Sequence, residues 1–327
     1  MKRFLVTGVA GFVGSKVSER LVAAGHGVVG LDNCNDYYDT RIKDWRLARL
    51  KEVAGKEEGF EFRSLDIESA PAIDSLLEEF SFDGVFNLAA RAGVRYSMEN
   101  PLVYYTTNVL GGLHLLEAMR RHGVKKYVLA STSSLYAGQA MPFREDLPVN
   151  EPISPYAASK KAAEVQAFTW HKLYGIDVSV LRYFTVYGPA GRPDMSPLRF
   201  IKWIDEGTPI TLYGDGSQAR DFTHVDDIAQ GTVAAMKPLG YEIINLGGGN
   251  NPITIRQMIE TFEKLLGKKA VIDEQPFHAA DMRETWADIS KAKRLLDWSP
   301  TIDFAEGMAQ TVQWYLENKS WLKNIQV

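Results

Sequence analysis

The chain has one cysteine, Cys34, in 327 residues. That excludes an internal disulfide and any site built from clustered thiolates, and it points to a reducing compartment. Cys34 itself reads as a small residue filling a loop. Histidine is scarce too: the six residues have no metal-ligand spacing, His122 and His171 read as helix-surface residues and His224 as structural, and no metal is expected. Positive charge is not in excess, since 37 basic against 41 acidic residues leave a net charge of −4 without basic stripes, and a nucleic-acid partner is not expected. No stretch approaches the ~18 apolar residues of a membrane span, so a soluble, cytoplasmic protein is expected. Met1, Lys2 and Arg3 before an apolar stretch imitate a secretory signal. Three glycines interrupt that stretch and Lys16, Glu19 and Arg20 follow at once, so no signal peptide is expected. Repeats and low-complexity tracts are also missing, and the composition is that of an ordinary globular protein.

What the chain does have begins at its start. An apolar strand, residues 3–7, runs into Gly8-Val-Ala-Gly11-Phe-Val-Gly14 and then into a helix with Val13, Val17 and Leu21 on one face. Such glycines permit a tight turn and bring backbone N–H groups close to a pyrophosphate at the positive end of the helix. The spacing is Gly-x-x-Gly-x-x-Gly, where the commoner dinucleotide fingerprint is Gly-x-Gly-x-x-Gly. Val28-Val-Gly-Leu31 reads as the second strand and ends at Asp32, where a carboxylate accepts from adenine ribose hydroxyls and repels a 2′-phosphate. NAD is therefore favoured over NADP.

A second motif carries acid–base chemistry. Ser154 and Pro155 mark a helix start, which puts Tyr156 and Lys160 one turn apart on the same face. A free tyrosine, with a pKa near ~10, is a poor base at neutral pH. An ammonium beside it stabilises the phenolate, so that Tyr156 can take a proton from an alcohol.

Strands at 3–7, 28–32, 60–65, 84–89, 126–131 and 178–184 alternate with helices that include 108–122 and 155–174. This alternation predicts an α/β fold, a doubly wound parallel Rossmann sheet with a smaller C-terminal substrate-binding lobe. Residues 1–186 form the expected dinucleotide domain, with returning segments near 223–247. Residues 187–327, with a helix near 197–206 and a short strand Ile-Thr-Leu-Tyr-Gly, form most of the second lobe as a lid over the strand ends.

The glycine turn, Asn87-Leu-Ala-Ala90, Thr132 ahead of Leu135-Tyr136, Tyr156-x-x-x-Lys160 and Arg182-Tyr-Phe-Thr-Val-Tyr-Gly-Pro189 together resemble the extended short-chain dehydrogenase/reductases that act on nucleotide sugars. The resemblance runs over nearly the whole chain. Leu31-Asp-Asn-Cys-Asn-Asp-Tyr-Tyr-Asp39, Ala92-Gly-Val-Arg-Tyr-Ser97, Thr132-Ser-Ser134 and Gly191-Arg-Pro-Asp-Met195 narrow it to the UDP-glucuronate 4-epimerases. The first and last of these are specific, whereas the sheet motifs are shared by every relative.

This resemblance implies inversion at C4 of UDP-glucuronate to UDP-galacturonate. Tyr156 removes the 4-hydroxyl proton while hydride passes to NAD, Thr132 shares and positions that proton, and Lys160 also holds the nicotinamide ribose. The 4-keto sugar then presents its other face and takes the same hydride back. Implied cofactor contacts are Gly8, Gly11, Phe12, Val13, Gly14, Asp32, Asn33, Lys43, Asp66, Ile67, Leu88, Ala89, Ala90, Asn108, Tyr156, Lys160 and Tyr183. Implied substrate contacts are Arg95, Thr132, Ser133, Ser134, Thr185, Arg192, Tyr213, Arg220 and Arg283, with Arg220 and Arg283 clamping the UDP pyrophosphate. Simple ion pairs, Arg192 with Asp194, Arg220 with Asp221 and Arg283 with Glu284, are the competing readings. In relatives the helix carrying Val109, Leu113 and Leu116 joins the one after Tyr156 in a two-fold four-helix interface, so a homodimer is expected; burial in the core is the plain reading of that stripe.

A 4-keto uronate loses CO2 easily, so an epimerase must hold the carboxylate out of line with the carbonyl π system. Ser133, Ser134 and Arg192 are the candidates to do so. Related decarboxylases and 4,6-dehydratases usually carry Thr-Ser-Glu or Thr-Asp-Glu here, and Ser134 stands where their glutamate would be. Two alternatives remain: another UDP-sugar enzyme of this fold (a UDP-hexose 4-epimerase or a UDP-glucuronate decarboxylase), or an idle NAD-sensing scaffold, which would be expected to lose the Tyr/Lys pair. Arg91 departs from the family pattern, which has glutamine before Ala-Gly-Val-Arg95, and adds a cation near the sugar.

Overall fold

Runs such as Phe4-Leu-Val6 and Val28-Val29 are apolar on consecutive residues, the pattern of a strand covered on both faces. In the computed structural model, which describes residues 1–55, 59–249, 252–277 and 282–327, they are inner strands of a parallel sheet. The first half runs β1 (Arg3–Thr7), α1 (Phe12–Ala23), β2 (Gly27–Asp32), α2 (Arg41–Ala54), β3 (Phe60–Ser64), α3 (Ala70–Glu79) and β4 (Gly84–Asn87). Then follow α4 (Val94–Glu99), α5 (Leu102–Tyr105), a π-helical turn Thr106–Gly111, α6 (Gly112–His122), β5 (Lys126–Thr132), a 3-10 turn Ser133–Tyr136, α7 (Pro155–Tyr174) and β6 (Asp177–Tyr183). The remainder comprises β7 (Thr185–Tyr187), α8 (Ser196–Glu206), β8 (Ile210–Tyr213), β9 (Ala219–Arg220), β10 (Phe222–His224), α9 (Val225–Ala234), β11 (Tyr241–Leu246), β12 (Ile253–Thr254), α10 (Ile255–Leu266), β13 (Ile272–Gln275), α11 (Ser290–Leu296) and α12 (Phe304–Leu322).

Seven strands make one parallel sheet in the order β11-β6-β5-β4-β1-β2-β3. Helices α1, α2 and α9 cover one face and α3, α6 and α7 the other, around two separate apolar cores. The six strands expected from the sequence are all present. β4 ends at Asn87, two residues early, because the Leu88 and Ala89 N–H groups turn to the Thr7 hydroxyl, each at 3.1 Å. The helix expected over 108–122 starts as the π turn and becomes α-helical only at Gly112. The stretch 223–247 supplies α9 and the edge strand β11.

A third core, with Ile201 and Ile204 of α8, Leu212 of β8, Phe262 of α10 and Tyr315 of α12, builds the second lobe. It reaches back to α2, where Trp45 meets Trp314 edge-on at 5.2 Å between ring centres. Among the described residues no helix is long and apolar enough to cross a membrane.

Helix α7 begins as its sequence dictates, with the Ser154 hydroxyl accepting from the Ala157 N–H and Pro155 in the first turn. Its depth in the fold is set by Glu164, which with Arg182 forms an ion pair exposed by only 1 % on either side. Arg182 donates twice to that carboxylate, at 2.9 and 2.7 Å, and once to the Tyr136 hydroxyl at 2.8 Å. The Ser131 hydroxyl of β5 completes the set at 2.6 Å from Glu164. A buried pair is worth little against an apolar isostere, but loss of one partner strands the other charge. Glu164→Gln should therefore lower unfolding stability by about 3 kcal/mol in urea titration, and Glu164→Leu with Arg182→Met should lower it less than either single change. Equal losses in single and double variants would contradict this account of the pair.

Candidate active site

Ligands of open parallel sheets bind beyond the strand carboxyl ends, where the strand order reverses. Here that point lies between β1 and β4. Gly8 follows β1 with φ +70°, and a methyl group at its Cα would lie 2.7 Å from the Ala89 nitrogen. At Gly14 a Cβ would overlap the Gly8 carbonyl oxygen, so the turn closes only with both glycines. Gly11 is the N-cap of α1 and no side chain caps it, which leaves the first-turn N–H groups beside Phe12 and Val13 for an anion. Leu88, Ala89 and Ala90 form the opposite wall.

At the end of β2, Asp32 accepts from the Ala10 N–H at 3.1 Å and the Cys34 N–H at 2.8 Å. Cys34 is partly buried with φ +47°, and burial beside Asp32 pushes its thiol pKa up, as suits a packing residue. The Asn33 amide donates to Asp66 at 2.7 Å, and Ile67 is buried next to it. Asp32, Asn33, Asp66 and Ile67 thus make one edge, polar and apolar, of the kind an adenosine needs. The glycine turn, its uncapped helix and this edge fit a dinucleotide. Lys43 is buried against the loop between β2 and α2, donating to the Asn35 carbonyl at 2.6 Å.

Two implied cofactor residues also have partners within the protein. Asn108, in the π turn, accepts from the Arg91 N–H at 2.9 Å and donates to the Arg91 carbonyl and the Ser159 hydroxyl at 3.0 and 2.9 Å. Its amide hydrogens are committed to shaping the loop after β4. The Tyr183 hydroxyl bonds Thr232 of α9 at 2.8 Å, so a cofactor contact here would fall to its ring or main chain.

Thr132 ends β5 in register with Tyr183, and Thr185 lies two residues beyond Tyr183. Its hydroxyl donates to the Ser134 hydroxyl at 3.1 Å and accepts from the Ser134 N–H at 3.1 Å. The Thr132 hydroxyl also acts on the Tyr156 phenol. Ser133 is buried alongside. Burial raises the Tyr156 pKa, while the Thr132 hydrogen bond and then the charge of Arg192 oppose that rise. Arg192 thus acts on Tyr156 as a cation, and Lys160 follows that tyrosine one turn along the same helix. The Lys160 ammonium donates to the Ala130 carbonyl of β5 at 2.9 Å, the fixed acceptor that a buried charge requires. Burial pushes the Lys160 pKa down to about 8, against the opposing charge of Glu164 one turn along α7.

Arg192 forms a two-pronged pair with Asp194, at 3.0 and 2.5 Å, and its guanidinium faces the Tyr37 ring at 5.7 Å. The competing reading of a simple pair is therefore the observed contact, yet it leaves Arg192 within electrostatic reach of Tyr156. Beside them a cavity of about 470 Å³ is lined by Tyr37, Asp36, Arg91, Tyr96, Asn100, Val103 and Asp194. Arg91 is 3.3 Å from the Asn35 side-chain oxygen on that wall. Arg95 stacks over Tyr213 at 4.3 Å. The buried Asp221 carboxylate beside Arg220 accepts from the Ala287 N–H at 2.9 Å. The Ala219 N–H donates to the Arg283 carbonyl at 2.9 Å, which brings Arg220 and Arg283 to adjacent chain segments.

Three contributors escaped the sequence reading. Tyr104 meets Tyr156 edge-on at 6.0 Å and donates to the Gly93 carbonyl at 2.9 Å, and Tyr37, read only within a motif, donates to the Ala92 carbonyl at 2.8 Å. Arg199 of α8 has a buried Nε without a hydrogen-bond partner and a pKa lowered by burial and by Arg95. An arginine four residues after the Gly-Arg-Pro-Asp-Met segment was the available signal. Among the described residues no group of three or more metal-binding side chains is gathered.

Residues 5–311 match the family model described as GDP-mannose 4,6 dehydratase. A UDP-glucuronate 4-epimerase of Thermodesulfobacterium geofontis is 59% identical over 327 residues, spanning 100% of both chains. The crystal structure of a UDP-glucuronic acid 4-epimerase from Bacillus cereus, in complex with UDP-glucuronic acid and NAD, superposes with TM-score 0.89 at 36% identity, covering 97% of this chain and 99% of that one. A UDP-glucose 4-epimerase of Thermotoga maritima with UDP-glucose follows at TM-score 0.86 and 30% identity, covering 97% of this chain and 99% of that one. With the dinucleotide turn, the Thr132–Tyr156 pair and Ser134 in place of the dehydratases' glutamate, the chain belongs to the extended short-chain dehydrogenase/reductases, in the UDP-glucuronate 4-epimerase family.

Proposed function

We propose that the protein inverts C4 of UDP-glucuronate to give UDP-galacturonate, with NAD held along Gly8–Gly14, Asp32 and Asp66. The observation that carries this reading is the convergence of Thr132, Ser134, Tyr156 and Arg192: a proton acceptor within electrostatic reach of a cation, beside two hydroxyls, with Ser134 where a glutamate base would stand. Bound NAD supplies the acceptor for the C4 hydride and returns it. Tyr156 takes the 4-hydroxyl proton, with the Thr132 hydroxyl stabilising the phenolate. Arg192 lowers the cost of that anion and, on exchanging Asp194 for the substrate, meets the uronate carboxylate with its two-pronged face. Ser133 and Ser134 add hydroxyl donors that hold the carboxylate out of line with the C4 ketone. Arg220 and Arg283 take the diphosphate, and Arg95 on Tyr213 adds a third cation. Tyr156 returns its proton when the ketone is reduced on the other face.

A homodimer goes with this reading. Leu102, Tyr105 and Leu110 on α5 and the π turn, and Val165 and Phe168 on α7, are large apolar side chains that stay exposed. They fit a two-fold contact with a second copy.

Three outcomes are expected. Arg192→Gln raises KM for UDP-glucuronate by about tenfold or more while inhibition by UDP changes by less than about twofold, and equal losses would remove its carboxylate role. Lys160 is an ammonium below about pH 8 and neutral above it, so turnover falls on the alkaline side with a midpoint near 8. A rate that stays flat to pH ~10 would contradict the need for that charge. In sedimentation velocity the protein runs as a dimer, and Leu110→Glu with Phe168→Glu gives a monomer; an unchanged dimer would place the contact elsewhere.

A further inference from the structure

Arg46 lies on α2, outside every motif that identifies the site, and is only 1 % exposed. A guanidinium this deep persists only if its donors are satisfied. Its acceptors are main-chain carbonyls from two separate loops and one phenol oxygen. Nη1 donates to the Ala10 carbonyl at 3.0 Å and to the Tyr38 hydroxyl at 2.8 Å. Nε and Nη2 both donate to the Ala190 carbonyl, at 3.0 and 2.8 Å, and Nη2 reaches the Gly191 carbonyl at 3.2 Å.

The two loops are the ones that matter. Ala10 belongs to the dinucleotide turn, and its own N–H is held by Asp32 at 3.1 Å. Ala190 and Gly191 immediately precede Arg192. Ala190 sits at φ +56°, a region unfavourable for a residue with a Cβ, which persists where surrounding contacts enforce it. The paired bonds from Arg46 to the Ala190 carbonyl are such contacts. A continuous chain of hydrogen bonds thus runs from Asp32 through Ala10 and Arg46 to the residues that carry Arg192.

We propose that Arg46 is a positioning residue for uronate recognition: it holds the Arg192 loop in fixed register with the dinucleotide turn, so that the guanidinium of Arg192 and the hydride-transfer site keep their separation. The inference rests on the carboxylate role of Arg192 given above. The Arg46 donors are spent on protein oxygens, and lysine cannot replace it, because an ammonium lacks the rigid fork that spans both loops.

The test uses NAD-loaded enzyme and compares wild type, Arg46→Lys, Arg192→Gln and the double variant. Arg46→Lys should raise KM for UDP-glucuronate about tenfold, as a displaced binding group does, and leave inhibition by UDP within about twofold. In the Arg192→Gln background it should add nothing, because both changes act through one group. Additive losses, or equal losses for UDP and UDP-glucuronate, overturn the proposal and leave Arg46 a purely structural residue. Should Arg46→Lys fail to fold, Tyr38→Phe, which deletes a single acceptor of the same guanidinium, decides. A selective rise in KM that vanishes in Arg192→Gln supports the tie, and an unchanged KM overturns it. If Arg192→Gln alone leaves KM unchanged, the carboxylate reading falls and this inference with it. If Arg192→Gln raises KM and Arg46→Lys does not, only the tie falls.

Discussion

The geometry of the site depends on one buried carboxylate. Glu164 is held by Ser131 of β5 and Arg182 of β6, and it lies on the helix that carries Tyr156 two turns before it. Fixing that helix against those strands sets where the Tyr156 phenol stands relative to Thr132 at the end of β5. The same charge favours the protonated form of Lys160, one turn away. Net stability is not what such a pair contributes best, since apolar side chains of equal volume would do as well. What it contributes is a directional lock, because the planar guanidinium satisfies the carboxylate in a single orientation. Tyr136 and Asn245 extend the lock to β11, through hydrogen bonds of 2.8 Å at each step.

The electrostatics around Tyr156 follow from opposing effects of burial and charge. Desolvation makes the phenol a weaker acid, and a base that never ionises cannot accept the substrate proton. Thr132 and Arg192 work against that penalty. In the proposed mechanism Arg192 has two duties, one toward the phenolate and one toward the carboxylate that a uronic acid brings. A neutral hexose would use only the first. On the same proposal Ser134 gives the second half of the selectivity: a glutamate in its place would repel the carboxylate and offer a base. Epimerisation and decarboxylation share the 4-keto intermediate and differ in how firmly the carboxylate is turned away from the ketone.

Features set by short-range rules were legible in the sequence. The glycine turn, the Ser154–Pro155 helix start and the alternation of strands and helices each rest on residues within a few positions of one another, and each is where it was expected. Burial partners were not legible. Glu164 in isolation reads as one charge on a helix among lysines, and its partner Arg182 is 18 residues away on a strand. Arg46 reads as another basic residue on a charged helix, although its acceptors lie 36 and 144 positions from it. The acceptor of Lys160 was not legible either: spacing of one turn places it on the face of Tyr156, whereas the Ala130 carbonyl is brought in by β5. The partners of Asn108 were not legible either, since the π turn aims its amide at the Arg91 main chain.

The most direct test of the central claim is product analysis with carbon dioxide trapping. Purified protein is incubated with UDP-glucuronate and catalytic NAD, the nucleotide sugars are resolved, and released CO2 is captured. The account predicts UDP-galacturonate at equilibrium with UDP-glucuronate and no CO2. UDP-pentose with CO2, or turnover confined to neutral UDP-hexoses, would contradict it.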